Sequence, residues 1–376
     1  MNAPLLFDPG TSLAQALVGA AAYRDGQDSL AAVHFAAVAD RAKADGKHGI
    51  ALNARRWEGN ALLWAGRIGE ALASLIPVAT ERDPLANVEA VYGAMTDLVM
   101  INLFHGSVAR IDALIADASA YLETIQCERW GHRLVLHRAI KSCRRGDFVL
   151  ARTLALKAMK DRASCPDGPQ YAEYSHLRWI LTPAFYLGDL AAVEEALLMA
   201  ECQPRCWTTD EQTWHWMHLQ VHRLRRREGL MSEAMEEHAL AAARIEAVAH
   251  PKEPIFDLGR GLILCGRLEQ AAALNWQKAD NWPFERALFE FDLEFNRLLA
   301  ADGRVPVDLD LDPAPGVPPS SSTRVLPFEQ LAGAMERMRT AATHESARLE
   351  SSYPFARVRR RLDWQQAQFP LPSGQA

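Results

Sequence analysis

Net charge is scarce in this sequence: 41 lysines and arginines stand against 47 aspartates and glutamates, a formal charge of -6 over 376 residues. A nucleic-acid-binding domain is usually basic, so global electrostatics give no nucleic-acid partner. Cysteine is sparse too. The six, Cys127, Cys143, Cys165, Cys202, Cys206 and Cys265, include no C-x-x-C pair. This excludes a disulfide framework of the small secreted kind and points to reduced thiols in the cytoplasm. Long apolar runs are missing: the most hydrophobic window, Val88–Phe104, is broken by Glu89 and Asp97 and falls short of a membrane span. Met1–Gly10 lacks a cationic stretch followed by an apolar one, so no signal peptide and no membrane partner are expected. Alternating β-branched runs and Asn-Gly hairpins are absent, which argues against sheet. Phosphate-cradling glycine motifs and nucleophile elbows are absent as well, so neither an enzyme nor a cofactor is expected.

What is present is a rhythm. Glycine turns recur at Gly26, Gly66, Gly106, Gly146, Gly188, Gly229 and Gly266, spaced by 40, 40, 40, 42, 41 and 37 residues. Glycine ends a helix readily because it accepts positive φ just past the last turn. Five residues after each comes a mostly small or aliphatic residue: Ala31, Ala71, Ile111, Ala151, Val193, Ala234 and Ala271. A small side chain there lets two helices approach closely. Gly19, Gly59, Ala139 and Gly259, seven before their turns, repeat the device on the first helix, whereas Val99, Leu181 and His222 depart from it. Between these marks, residues such as Leu62, Leu63, Ile68, Leu72, Leu75 and Ile76 follow helical spacing. The expected fold is all-α, about seven helical hairpins over residues 1–302. A proline-rich linker or strap follows over 303–327, then a helix and tail over 328–376, with Phe328–Glu350 capping the array and Pro370–Ala376 disordered.

The segment Leu52–Pro84, with Gly59, Leu62, Gly66, Ala71, Leu75, Val78 and Asp83-Pro84, resembles a tetratricopeptide repeat unit, and the resemblance covers roughly residues 12–285. The period near 40 exceeds the ~34 of the usual unit, and most copies lack its aromatic residues. The longer unit is similar to the long-helix variants of bacterial regulators and motor light chains. The resemblance implies an α-solenoid whose first helices line a concave groove. The family's groove positions fall here on Tyr23, Asn53, Arg56, Asn60, Leu63, Met100, Arg133, Ser175, Arg178, Phe185, Trp216, Arg223, Arg226, Phe256 and Arg260. From these, Arg56, Asn53, Asn60, Arg133, Arg178, Trp216, Arg223, Arg226 and Arg260 are the expected partner-binding residues. Arginine forks suit carboxylates, asparagines can hold an extended backbone, and tryptophan anchors.

Two further clusters carry chemistry-bearing side chains. Glu211, His215, His218 and His222 form one helical stripe near Trp207, Trp214 and Trp216, with Cys202 and Cys206 upstream. Zinc uses such ligands, but the stripe spans almost three turns and no H-E-x-x-H is present, so packed histidines and core tryptophans are expected and no metal site. Arg357, Arg359, Arg360 and Arg361 beside Trp364 read as a solvated helix end. The function expected is therefore a non-catalytic scaffold or adaptor that takes a protein or peptide segment, preferably acidic, in an arginine-rich groove. The alternatives are a regulatory sensor of a peptide or small ligand and, more weakly, a metal-dependent enzyme using residues 202–222.

Overall fold

The fold is described from a computed structural model that covers residues 13–81, 87–127, 130–163, 172–203, 208–247, 254–274, 276, 282–312 and 328–369. Every regular element among them is a helix, and none is long and apolar enough to cross a membrane. Asp83-Pro84, Cys165, Cys206, Trp207, the prolines of 313–327 and the tail 370–376 lie outside the described residues.

The chain divides into two compact units, Met1–Ile180 with Cys202–Glu211, and Leu181–Glu201 with Gln212–Ala376. The first contains α1 (Leu13–Arg24), α2 (Asp28–Ala44), α3 (His48–Trp64), α4 (Ile68–Ala79), α5 (Val88–Phe104), α6 (Ala109–Thr124), α7 (Gly131–Arg144) and α8 (Phe148–Ala163). Helix α9 (Ala172–Leu187) begins in it and ends in the second unit. There follow α10 (Leu190–Glu201), α11 (Thr208–Arg227), α12 (Met231–Ala247), α13 (Pro254–Leu264), the short α14 (Leu268–Ala272), α15 (Pro283–Ala301), α16 (Phe328–Leu349) and α17 (Tyr353–Gln368). In the first unit each helix from α1 to α8 packs on the next, and α5 also touches α3 and α7. In the second, α12 to α17 likewise pack in order, and α13 also touches α15.

One turn is used repeatedly. At Gly26, the glycine N–H donates to the Tyr23 carbonyl at 3.1 Å and the Gln27 N–H to the Ala22 carbonyl at 2.8 Å. This is the Schellman pattern, which satisfies carbonyls that the helix end would otherwise leave bare. The Gln27 carbonyl then accepts from Ala31 at 2.9 Å, so the residue after the glycine closes one helix and opens the next. Gly66, Gly146, Gly188, Gly229 and Gly266 repeat both the bonds and the positive φ. A polar residue after the glycine adds a cap: Asp147 Oδ1 accepts from Leu150 N at 3.1 Å and Asp189 Oδ1 from Ala192 N at 3.0 Å. Ala31, Ala71, Ile111, Ala151, Val193, Ala234 and Ala271 are all 0% exposed, which is why that position stays small or aliphatic. Gly59 shows the matching economy: a Cβ there would stand 2.5 Å from Leu75 Cγ.

Two departures are informative. Gly106 does not adopt positive φ; a Cβ there would meet Asn102 Oδ1 at 2.5 Å, so close approach, not backbone freedom, requires the glycine. The same turn also appears at half the expected interval. Gly46 (φ 70°) separates α2 from α3, and Gln126 (φ 53°) takes the glycine's place between α6 and α7.

The described part of the proline-rich segment, 303–312, packs as a strap in the second unit. Asn296 on α15, itself fully buried, donates to the Val307 carbonyl at 3.2 Å and accepts from Val307 N at 2.8 Å. Leu309 enters the core formed by Phe291, Phe295, Leu331, Met338, Val358 and Trp364. The C-terminal region holds two helices, and the second, α17, is part of this core.

Candidate functional site

The expected partner-binding residues fall into two places. In the first unit, Tyr23 on α1 donates to Asn60 Oδ1 at 2.6 Å, and Asn60 Nδ2 donates to Asp97 Oδ1 on α5 at 3.0 Å. Arg56 Nε donates to Asp97 Oδ2 at 2.8 Å, and its guanidinium lies 4.3 Å from the centre of the Trp57 ring. Gly93 makes room for it, since a Cβ there would come within 2.8 Å of Arg56 Nε. Burial pushes the Asp97 carboxyl above its ordinary range, with Arg56 and Asn60 pulling against that. Asn53 and Asn60 are buried and Arg56 is half-buried, so this chain of bonds ties α1, α3 and α5 together. Arg133 is half-buried on α7. Arg178 is half-buried on α9, its guanidinium 5.6 Å from the Trp179 ring centre.

In the second unit the arginines meet the chain's own acids. Arg223 on α11 is 2% exposed. It donates to Asp308 Oδ2 at 2.7 Å and 3.0 Å and to Asp257 Oδ1 at 2.7 Å, over the face of Phe185. Trp216 is buried and its indole N–H donates to the other Asp257 oxygen. Arg260 on α13, also buried, stands 3.2 Å from Asp310 and 3.5 Å from Glu285. Arg226 donates to the Leu264 carbonyl and, at 3.3 Å, to the Pro306 carbonyl. These side chains hold the strap against α11 and α13. The bonds they make are to groups of the chain itself.

The C-terminal arginines complete the network, and the solvated helix end expected for them is corrected. Arg361 is 0% exposed and grips Asp292 with two bonds of 2.7 Å while reaching Asp310 Oδ1 at 2.7 Å. Arg357 donates to Asp310 Oδ2 at 2.7 Å and Glu285 Oε1 at 2.6 Å, and Arg360 to the Leu309 and Asp312 carbonyls. Only Arg359 of the four is exposed. The helical period explains the split: residues 357 and 361 are one turn apart and face the strap, whereas 359 points away. Burial pushes the Asp310 carboxyl up, but Arg357, Arg361 and Arg260 outweigh it and hold it well below the usual range. Glu285 and Asp308 are lowered in the same way, burial being outweighed by Arg357 and Arg260 at the first and chiefly by Arg223 at the second.

No protein family, no curated protein and no solved structure matches the chain.

The histidine stripe does not converge. His215 is buried and packs edge-on to Trp214, with ring centres 4.8 Å apart. His218 lies 4.2 Å from the same ring and 4.0 Å from Glu201. Trp214 and Trp216 are core residues, each 5% exposed, and Arg244 covers Trp214 at 4.4 Å. A cleft of about 870 Å³ between α15 and α16 is walled by Arg286, Glu290 and Arg337, and Glu290 pairs with both arginines, at 3.1 Å and 2.9 Å.

Sequence reasoning passed over a set of exposed apolar side chains on the second helices. Ile76 on α4, Leu156 on α8 and Leu198 on α10 all stand ten residues after their turn glycines and are 48%, 42% and 63% exposed. Leu240 on α12 stands one residue later in its repeat and is also exposed. Val33 on α2, Val149 on α8, Met199 on α10, and Met231 and Met235 on α12 are exposed as well. The signal was available: these residues sit where a solvated helix face should be polar.

Proposed function

We propose that the chain is a helical repeat protein of tetratricopeptide type, an α-solenoid scaffold or adaptor that binds a protein partner through the second helices of successive hairpins. The observation that carries this reading is the recurrence of an exposed aliphatic residue at one repeat position, Ile76, Leu156 and Leu198. Single exposed leucines need no explanation, but apolar side chains at an equivalent position, Ile76 and Leu156 in the first unit and Leu198 in the second, give each unit apolar positions that a partner can read. In the second unit, Arg225 strengthens this arrangement by bridging Glu194 on α10 to Glu233 and Glu237 on α12, which sets Leu198, Met199, Met231 and Met235 on neighbouring helices. Methionine suits such a surface because its side chain adapts to varied partners.

An arginine groove selecting an acidic segment has less support, because Arg56, Arg223 and Arg260 are neutralised within the chain. Arg133 and Arg178 are half-buried.

The test is capture of native partners by the wild-type chain, by the triple variant Ile76→Glu, Leu156→Glu, Leu198→Glu, and by Arg133→Glu with Arg178→Glu. The triple variant is expected to keep its helicity, since all three sites are exposed, and to lose at least tenfold in affinity for a partner that the arginine variant retains. Equal retention by the triple variant, or loss confined to the arginine variant, sinks the proposal.

A further inference from the structure

We infer that His222, His238 and Cys265 form a three-ligand site for a thiolate- and imidazole-binding transition-metal ion such as zinc(II). The three come from different elements, α11, α12 and the turn after α13, and their ligand atoms all lie within 4.8 Å of one another. His222 and His238 are both 0% exposed, and their rings are tilted by 37° with centres 4.7 Å apart.

The tautomer of His222 is set by its surroundings. Its Nδ1 faces the Ala234 carbonyl, and a carbonyl can only accept, so Nδ1 carries the proton. Nε2 therefore presents a lone pair, 4.0 Å from Cys265 Sγ. A backbone carbonyl orienting one ring nitrogen so that the other can ligate is the usual outer-shell arrangement at metal-binding histidines.

His238 is the second observation. Both of its ring nitrogens are buried without a hydrogen-bond partner. Buried polar groups are nearly always satisfied, and leaving one bare costs about 1–3 times the net worth of an ordinary hydrogen bond. The ring is also given a cradle. Gly261 on α13 lies against it, and a Cβ there would come within 2.5 Å of His238 Cε1 and 2.6 Å of Nδ1. Mere stacking of two histidines explains the ring contact but neither the glycine nor the two bare nitrogens.

Zinc–nitrogen bonds of about 2.0–2.1 Å and zinc–sulfur bonds of about 2.3 Å place tetrahedral ligand atoms roughly 3.4–3.6 Å apart. The present separations, 4.8 Å at the widest, need to close by about 1.4 Å at most, within the reach of side-chain rotation. Cys265 is partly exposed, which gives the ion an entry path and a place for a fourth ligand. Burial pushes the Cys265 thiol above its ordinary range, and Arg226 and Arg267 pull against that. Binding therefore releases the thiol proton to solvent as the sulfur–metal bond forms, with no change of oxidation state. The ion would act as a structural tie between α11, α12 and α13.

The experiment titrates zinc(II) into the reduced full-length chain against a chromophoric chelator, with cobalt(II) as the spectroscopic substitute. One equivalent is expected to bind and to raise Tm, and chelation is expected to reverse the rise. His238→Ala and Cys265→Ala should each weaken binding at least tenfold, whereas Cys202→Ala with Cys206→Ala should not. Absence of stoichiometric binding, or binding that survives both ligand variants, overturns the site. Should those variants fail to fold, the cobalt-loaded wild type decides: a near-ultraviolet thiolate-to-cobalt band is expected, and a cobalt spectrum without it excludes Cys265 as ligand and contradicts the proposal.

Discussion

Replacing Asp310 with alanine is expected to lower the stability of the chain by about 3–5 kcal/mol, the range for removing one member of a buried ion network. Its two oxygens accept from Arg357 and Arg361, and Arg260 stands 3.2 Å away. Alanine leaves three buried guanidinium groups short of a partner at once. Asp310→Asn keeps an acceptor but not the charge and should fall between wild type and alanine. Urea denaturation followed by tryptophan fluorescence reads the effect, since Trp364 and Trp216 are buried in the same unit. A change below about 1 kcal/mol, typical of exposed pairs, would mean that the strap is not held by these charges. The pH sign follows from the lowered carboxyl. Its unfolded counterpart titrates near pH ~3.9, so this contribution is intact above that value and is lost as pH falls towards the lower folded one.

Leu75→Ala should cost about 2–5 kcal/mol, as a fully buried leucine leaves a cavity on truncation. Gly59→Ala alone should also destabilise, by about 1–3 kcal/mol, because its Cβ would meet Leu75 Cγ at 2.5 Å. In the Leu75→Ala background the same change should reverse sign. The clash is gone, the new methyl group fills part of the cavity, and alanine is favoured over glycine in a helix by about 1 kcal/mol. A double-mutant cycle on thermal or chemical unfolding measures the coupling. Additive effects would show that α3 and α4 do not meet through these two residues.

The turns were legible in the sequence because their chemistry is local. At each turn except Gly106 the residue after the glycine bonds back five positions, and, Asp28 in α2 apart, the residue five beyond the glycine is the first that the new helix buries. The half-period turns at Gly46 and Gln126 were harder to see. Gly46 falls midway between two marked glycines, and a glutamine at positive φ carries no sequence signature. The fate of the arginines was not legible. Arg223 and Asp308 are 85 residues apart and Arg361 and Asp292 are 69 apart, so no spacing rule links them. One clue existed: Asp308, Asp310 and Asp312 alternate within a proline-rich segment, and Arg357 and Arg361 share one helix face. The histidine stripe, expected to be packing, held its longer-range contacts out of view for the same reason. Its spacing showed only neighbours on α11, while the partners of His222 come from α12 and from Cys265, 43 residues on.

Arg56, Arg223, Arg260, Arg357 and Arg361 bond within the chain, and the partner surface proposed above is apolar. Salt separates that arrangement from an arginine groove most directly. Affinity for a captured partner should change by less than about twofold between low and high sodium chloride, because burial of apolar surface is not screened. A decline of tenfold or more over the same range would place charge at the interface and contradict the account.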